Sequence, residues 1–453
     1  MAHLFFTGGG ASYVARNLAA ALPSFGWRTT IVCASVTSRD PQRDVRVFFR
    51  GLDVRPIDLT HAIEAEDPLR ADPPVPPLLT ARPGRRPLLV EVDDASFEHH
   101  VRSAIGVFAA AGAADADVLH LHHLTPFNEA VRRAFPEVPV VGHLHGSELL
   151  LLEEMERRGR REWPYAPLWT ERMRRWAADC AQVVLVSESQ LTRARRLLSL
   201  PADVCVTVPN GFDSRVFRPL QVDRVAHWRR NLVDCPRGWA PGGDAGSVAY
   251  NERDLEDFAE GNPVLIHVGR YAKVKRLDLL IDAYGRARPC FETPAPLVLV
   301  GGPPGEWEGE HPLETARRLR VPNVFLAGWH PQEDLPAFLA ASDVLVLPSV
   351  REQFGLVAIE AMACGRPVIA ANSLGPAEIV RDGDTGWLVP LGDVGALAAA
   401  MVAAVNDPAE RRRRGKRAVA DVRRRFAALP LAQRMAGIYD SVARGPEGAI
   451  NER

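Results

Sequence analysis

Two cationic side chains follow an apolar segment in the second half of the chain. The segment PVLIHVG ends at Gly269, and Arg270 and Lys275 come soon after it. An arginine can bind two phosphate oxygens at once, and a lysine adds a compact positive charge. The pair therefore predicts a diphosphate site at the end of a strand. Lys273 competes with Lys275 for the second position, and a surface ion pair is the alternative without a ligand.

Two carboxylates with seven residues between them follow another apolar segment, DVLVLPS. Glu352 comes just after this segment, and Glu360 lies in a predicted helix that starts near Gly355. The N-terminus of such a helix offers N–H groups to phosphate or sugar oxygens, while a carboxylate accepts hydrogen bonds from hydroxyl groups. The spacing is compatible with a sugar or nucleotide site. Carboxylates on helices are more often simply solvated.

A pair of histidines ends the apolar segment VPVVGHLH in the first half of the chain. His143 and His145 are two residues apart, so they share one face of a predicted strand. A neutral imidazole in this position can form a hydrogen bond with a sugar. Both histidines are candidates for this role, with Glu148 as a residue that orients the ring. A structural histidine with all its hydrogen bonds satisfied is the alternative.

Three consecutive glycines, Gly8, Gly9 and Gly10, follow the first apolar segment, HLFFT. Glycines between a strand and a helix let a ligand approach the backbone, and the N–H groups of the helix start attract anions. Tyr13 stands where the dinucleotide motif GxGxxG requires a glycine, and the Lys-Ser/Thr of a P-loop is absent. The pattern favours a polar ligand or a plain tight turn.

Short apolar segments alternate with helical patterns in both halves of the chain. Such segments predict parallel sheets covered by helices, and 453 residues exceed what one hydrophobic core usually serves. We therefore expect two doubly wound α/β domains that bind ligands at the carboxyl ends of their strands. The predicted divisions are a first domain over 1–218, a linker or insertion over 219–261, a second domain over 262–425, and a tail over 426–453 that returns to the first domain.

The composition disfavours several classes of protein. Lys and Arg number 55 against 56 Asp and Glu, which argues against a nucleic-acid partner. Six scattered cysteines without a CxxC pair predict buried thiols in a reducing compartment, and the absence of a secretory or membrane-spanning segment predicts a cytoplasmic protein. Asp93-Asp94 lacks the context of a metal-binding motif, so we expect no metal and no bound cofactor. Nine basic residues between Arg411 and Arg425 predict a solvated helix face, or contact with an anionic membrane.

Four segments together resemble the family-4 retaining glycosyltransferases. They are VPNGFDSRVFRP, HVGRYAKVKRLDLLIDAY, SDVLVLPSVREQFGLVAIEAMACGRPVIA and RDGDTGWLVP. The resemblance implies a GT-B fold, an α/β architecture in which two doubly wound Rossmann-like domains face each other across a cleft. It also implies transfer of a sugar from a nucleotide-sugar donor, with UDP the first choice of nucleotide and GDP the second, and with retention of anomeric configuration.

The resemblance assigns roles to the matching residues. Arg270 and Lys275 would bind the donor diphosphate, Glu352 the sugar hydroxyls, Glu360 the ribose, and His145 the donor sugar near its anomeric carbon. The four predicted catalytic residues are therefore His145, Arg270, Lys275 and Glu352. The further donor-binding positions are Gly9, Gly10, Gly269, Phe354, Gly355, Leu356 and Glu360.

No motif identifies the acceptor. A composition rich in arginine, alanine and proline is typical of a high-GC bacterial genome, so a small molecule or glycoside of bacterial specialised metabolism is our first expectation. One alternative is a peripheral membrane enzyme that glycosylates a lipid. Others are a GT-B nucleotide-sugar epimerase or coupling enzyme, and a non-catalytic module that binds nucleotide-sugars.

Overall fold

The computed structural model describes residues 1–3, 9–37, 44–79 and 87–445. The chain forms two compact units. The first contains Met1–Gly211 with the described part of Ala428–Arg453, and the second contains Phe212–Ala427. The chain thus crosses between units a few residues before the predicted boundary at 218, and again two residues after the one at 425.

The first unit is built on a seven-stranded parallel sheet in the order β3-β2-β1-β4-β5-β6-β7. Its strands are β1 (Ala2–His3), β2 (Thr30–Ser35), β3 (Asp53–Asp58), β4 (Leu119–His122), β5 (Val140–Leu144), β6 (Gln182–Leu185) and β7 (Cys205–Thr207). Its helices are α1 (Gly10–Ala21), α2 (Val45–Phe48), α3 (Asp94–Ala110), α4 (Pro126–Ala134), α5 (Ser147–Glu162), α6 (Ala166–Ala178) and α7 (Glu188–Leu198), with α16 (Ala428–Arg444) from the end of the chain.

The second unit contains a six-stranded parallel sheet in the order β10-β9-β8-β11-β12-β13. Its strands are β8 (Leu265–Val268), β9 (Leu297–Val300), β10 (Val324–Gly328), β11 (Val344–Leu347), β12 (Val368–Ala371) and β13 (Gly386–Val389). Its helices are α8 (Arg224–Arg229), α9 (Leu277–Ala287), α10 (Pro312–Leu319), α11 (Leu335–Ala340), α12 (Leu356–Ala363), α13 (Leu374–Ile379), α14 (Val394–Asn406) and α15 (Pro408–Phe426). The two sheets confirm the predicted α/β class with two doubly wound Rossmann-like domains.

Helix α16 packs into the core of the first unit. Leu431, Met435 and Tyr439 are buried against Val141 of β5 and Val184 of β6. An apolar stripe with this helical spacing requires a partner surface, and the sheet provides it.

The segment 219–261 packs into the second unit. Trp228 and Trp239 are fully buried, and their indole N–H groups donate to the carbonyls of Ala341 (3.2 Å) and Gly302 (2.6 Å). Two buried tryptophans with satisfied N–H groups make this segment a part of the unit's core.

The basic run lies on α15, where most of its charges have partners. Arg411 is buried and donates to the carbonyls of Ala404 and Val405, at 2.6 and 2.9 Å. Six of the nine basic residues form hydrogen bonds within the second unit: Arg411, Arg413, Arg414, Arg417, Arg424 and Arg425. Most of the run is therefore used within the fold. Among the described residues, no helix has the length and apolarity required to span a bilayer.

Met435→Ala should destabilise the first unit by about 2–5 kcal/mol, because the substitution leaves a cavity under α16. Leu429→Ala is the matched control on the same helix, since this side chain is 54% exposed and its loss should cost less than about 0.5 kcal/mol. Hydrogen-exchange mass spectrometry in urea measures both, with peptides from β5 reporting the first unit and peptides from β11 serving as an internal reference. Equal protection of β5 in the two variants would contradict the packing of α16.

Candidate active site

In each sheet the strand order reverses between two neighbouring strands, and candidate residues follow those strands. The reversal lies between β1 and β4 in the first unit and between β8 and β11 in the second. Doubly wound sheets bind ligands where the strand order reverses, outside the carboxyl ends of the strands. Gly269 and Arg270 follow β8, and Glu352 follows β11. The second unit therefore brings two of the sequence-predicted segments to the same edge of its sheet.

The turn after β8 presents the two predicted cations differently. Arg270 is exposed and has no ion pair among the described residues. The Lys275 side chain runs back past Gly269, so that a Cβ atom added at Gly269 would lie 3.6 Å from Cε of Lys275. Lys273, the alternative cation, is exposed, and its backbone N–H donates to the Glu308 carboxylate at 3.0 Å. Lys275 rather than Lys273 therefore lies against the strand end.

Lys275 forms a half-buried ion pair with Glu352. The Lys275 ammonium donates to Oε2 of Glu352, and each side chain is less than 20% exposed. Burial opposes ionisation of Glu352, but the charge and hydrogen bond of Lys275 outweigh it and lower the pKa of the carboxyl group. The two loops are also joined by a hydrogen bond from Val350 N to Val274 O of 2.9 Å. The site thus contains a preformed cation and anion.

Gly301 allows the backbone to pass close to Gly269. Gly301 has φ +124°, and a Cβ atom there would lie 2.1 Å from the carbonyl oxygen of Gly269. The Gly269 N–H in turn donates to Val300 O at 2.9 Å. Only glycine satisfies both the dihedral angle and the spacing. This requirement fixes the position of the strand end that carries Arg270.

His267 is a member of this group that the sequence analysis did not single out. Its Nδ1 lies 2.9 Å from the Val346 carbonyl, and its Nε2 lies 3.2 Å from the Cβ position of Gly269. Burial, together with the nearby charge of Lys275, lowers the pKa of His267 to about 4, so the ring is neutral. The only available signal was a polar residue inside an otherwise apolar strand.

Helix α12 carries the second glutamate. The helix begins after Gly355, which has φ +99°, and Glu360 is buried with its carboxylate accepting a hydrogen bond from the Gln332 side chain. Leu356 opens the helix and is partly exposed, while Phe354 is buried with its ring 5.8 Å from that of Phe426. Glu360 is therefore a held carboxylate, and Gln332 is a neighbour that the sequence analysis missed.

In the first unit, His145 follows β5 and is paired with another histidine. His145 Nε2 lies 2.8 Å from His122 Nδ1. Gly146 has φ +96° and begins α5, and its N–H donates to the Glu148 carboxylate at 3.1 Å. The other Glu148 oxygen contacts His123. Thus His122, and not Glu148 as expected, orients the imidazole of His145.

Further histidines form a stack with this pair. The rings of His120, His122, His143 and His145 have neighbouring centroids 4.5 to 5.2 Å apart. Burial, followed by the proximity of other histidines, lowers the pKa of His143 to about 3 and holds the other three pKa values well below the usual range. The stack is neutral. The alternating LHLH of β4 was the sequence signal for the two further rings, His120 and His122.

The glycine segment is described only in part. Gly8 lies outside the described residues. Gly9 precedes α1 with φ −95°, and nothing lies within 4 Å of its Cβ position. Gly10 is the first residue of the helix. The surrounding described residues therefore impose no requirement for glycine at position 9.

Two family models match the chain, one in each half. The model described as "Glycosyltransferase Family 4" matches residues 8–216, and the model described as "Glycosyl transferases group 1" matches residues 250–421. The two matches follow each other in the order of the two structural units.

Similar proteins have related descriptions. N-acetyl-alpha-D-glucosaminyl L-malate synthase of Bacillus anthracis is 27% identical over 72% of this chain and 75% of its own length. D-inositol 3-phosphate glycosyltransferase of Kribbella flavida is 40% identical over 37% of this chain and 44% of its own length. Among solved structures, Anabaena HepE in complex with UDP-glucose has a TM-score of 0.66 and 18% identity, over 97% of this chain and 98% of that one. The last likeness concerns the fold alone.

Gly301→Ala should destabilise the second unit by more than about 1 kcal/mol, because alanine tolerates neither the positive φ nor the approach to Gly269. Gly395→Ala is the matched control in the same unit, since the nearest atom to its Cβ position is an Asp393 oxygen at 3.4 Å. Thermal unfolding followed by circular dichroism compares the two variants. If Gly301→Ala unfolded at the temperature of the control, the backbone approach would not constrain the site.

Proposed function

Because this chain belongs to the family-4 glycosyltransferases, with their GT-B fold class, we propose that it moves a sugar from a nucleoside-diphosphate donor onto a small-molecule or glycoside acceptor. The observation that carries the proposal is the group at the switch point of the second unit. There Lys275 and Glu352 form a half-buried pair beside Gly269, and Arg270 is exposed next to them. This arrangement supplies both charge for a diphosphate and an acceptor for sugar hydroxyls.

The two cations act on the leaving diphosphate. Arg270, which has no ion pair among the described residues, binds phosphate oxygens through its guanidinium fork. Lys275 uses one of its three N–H donors on Glu352, and the remaining two are available to the diphosphate. Charge fixed in position before the reaction stabilises the departing phosphate without reorganisation. Transfer therefore needs no metal at the donor phosphates.

The two glutamates bind different parts of the donor. One Glu352 oxygen is held by Lys275, and its other oxygen accepts hydroxyl groups of the sugar. Glu360, buried on α12 and held by Gln332, accepts the ribose hydroxyls. The N-terminal N–H groups of α12, next to Phe354, Gly355 and Leu356, face negative oxygens.

The comparisons support the choice of ligands. HepE forms a complex with UDP-glucose, which favours UDP over GDP as the donor nucleotide. The names of the malate and inositol 3-phosphate enzymes favour a small polar acceptor. Transfer takes place with retention of configuration, and His145 contacts the donor sugar. Mass spectrometry of UDP-sugar hydrolysis, followed by acceptor screening, tests this assignment.

Glu360→Ala should weaken UDP binding about 10- to 100-fold, since the loss of a charge-assisted hydrogen bond to ribose costs about 1.5–3 kcal/mol. Isothermal titration with UDP measures this loss of affinity. The wild-type protein is titrated once with EDTA and once with Mg²⁺, and we expect the same affinity for UDP in both. Glu314→Ala, an exposed carboxylate of the same unit, is the control. Gln332→Ala should have a smaller effect. A strict Mg²⁺ requirement would contradict donor binding by Arg270 and Lys275.

His145→Ala should leave UDP binding nearly unchanged and lower sugar transfer about 100-fold, because the imidazole contacts the sugar and not the nucleotide. Arg270→Ala, in contrast, should lower both. Titration with UDP and a transfer assay on the same preparations separate the two effects. A His145→Ala protein that transferred sugar at the wild-type rate but bound UDP poorly would reverse the proposed roles.

A further inference from the structure

Three histidines of the first unit form a cluster that sugar transfer, as proposed above, does not use. His120 and His122 alternate along β4, and His143 on β5 is the register partner of His122. All three side chains therefore lie on one face of the sheet, and His120 contacts Tyr439 of α16. Each ring is no more than 2% exposed, and one nitrogen of each lies within 4.8 Å of a nitrogen of the other two.

The spacing of the nitrogens fits a shared ion. His120 Nε2 and His143 Nδ1 face each other at 3.2 Å. Two imidazole nitrogens bound to one tetrahedral Zn²⁺ at about 2.0–2.1 Å are themselves about 3.3 Å apart. The same distance also suits a hydrogen bond between the rings, so the surrounding contacts must distinguish the two.

The outer nitrogens of two rings already have partners of the kind that metal ligands use. His120 Nδ1 lies 2.5 Å from the Tyr439 hydroxyl, and His122 Nδ1 lies 2.8 Å from His145 Nε2. A histidine that binds a metal through one nitrogen almost always donates the other N–H to an outer group, which fixes its orientation. In both residues this leaves Nε2 as the nitrogen available to an ion.

Two buried nitrogens in the cluster have no hydrogen-bond partner among the residues that the structure describes. They are Nε2 of His122 and Nε2 of His143. Leaving a buried polar atom unpaired costs about 1–3 kcal/mol, and such atoms often mark an ion or water. A chain of ring-to-ring hydrogen bonds alone does not satisfy His122 Nε2, whereas a cation bound there does. Nε2 of His143 is instead the outer nitrogen of its ring, because Nδ1 is the atom that faces His120.

We propose that His120, His122 and His143 bind one transition-metal ion, with Zn²⁺ the first choice. Neutral imidazoles suit Zn²⁺, Cu²⁺ and Ni²⁺, and three ligands leave a fourth position for water. The ion joins β4 to β5 just before His145. It goes beyond the proposed transfer, since it lies in the first unit and uses none of the residues proposed to bind the donor. Its effect there is to fix His122 as the Nδ1–H form that donates to His145.

Metal binding by the untagged full-length protein tests the site without any activity measurement. The protein is treated with EDTA, dialysed and titrated with Co²⁺, whose visible absorption reports nitrogen ligation, and Zn²⁺ is then added as a competitor. We expect one equivalent of Co²⁺, displaced by one equivalent of Zn²⁺. X-ray absorption at the zinc edge of the wild-type protein should show three imidazoles at about 2.0–2.1 Å.

Substitutions locate the ion within the chain. His122→Asn and His143→Asn should each lower metal affinity at least 10-fold. His100→Asn is the matched control, because His100 is also buried in the first unit but bonds to the carbonyls of Ser96 and Val75. Circular dichroism checks folding, and if a variant fails to fold, the X-ray absorption of the wild-type protein decides.

Any of three results would overturn the site. One is wild-type protein that retains less than about one-tenth of an equivalent of metal and shows no Co²⁺ absorption band. Another is metal binding that both cluster variants retain, and the third is a zinc spectrum without three imidazoles. None of these results bears on sugar transfer, because UDP binding and transfer are measured separately. The site and the proposed function can therefore fail independently.

Discussion

The pairing of β8 with β11 is the constraint on which the candidate donor site depends. These two strands are neighbours in the sheet although 75 residues separate the end of one from the start of the other. Their parallel direction brings both carboxyl ends to one edge, where Lys275 meets Glu352. The close approach of Gly301 to Gly269 then fixes the position of the carboxyl end of β8. The positions of Lys275 and Glu352 therefore depend on the pairing of β8 with β11 and not only on the loops that carry them.

The ion pair at this edge is better understood as preorganisation than as stabilisation. Partial burial of two charges costs solvation, which their mutual attraction roughly repays. Removing one partner would leave the other buried without compensation, so the pair is tied to its surroundings. A diphosphate that enters beside Lys275 finds a cation already held in place, and the neutral ring of His267 adds no competing charge. The arrangement therefore contributes more to the binding of an anionic ligand than to the stability of the fold.

The sequence predicted those features that depend on neighbours along the chain. Apolar segments predicted the strands, and the order of residues after them predicted that Gly269, Arg270 and Glu352 lie at the strand ends. The histidine stack was missed because it depends on the register between β4 and β5, which sets His122 opposite His143. Likewise, Trp228 and Trp239 sit in a segment with few apolar residues, and its polar composition gave no indication of burial. Register and tertiary burial are set by distant residues, so local pattern does not reveal them.

The hydrogen bond between His122 and His145 connects the interior of the first unit to its candidate catalytic side chain. The two facing nitrogens are 2.8 Å apart, so they share a single proton. If His122 Nδ1 carries it, His145 must have its own proton on Nδ1 and presents a donor there. If His145 Nε2 carries it, the neutral ring presents an acceptor at Nδ1 instead. An ion on His122 Nε2 removes the second arrangement, since that nitrogen then holds no proton and the ring must keep its proton on Nδ1. The proposed ion would thereby set whether Nδ1 of His145 is a hydrogen-bond donor or an acceptor.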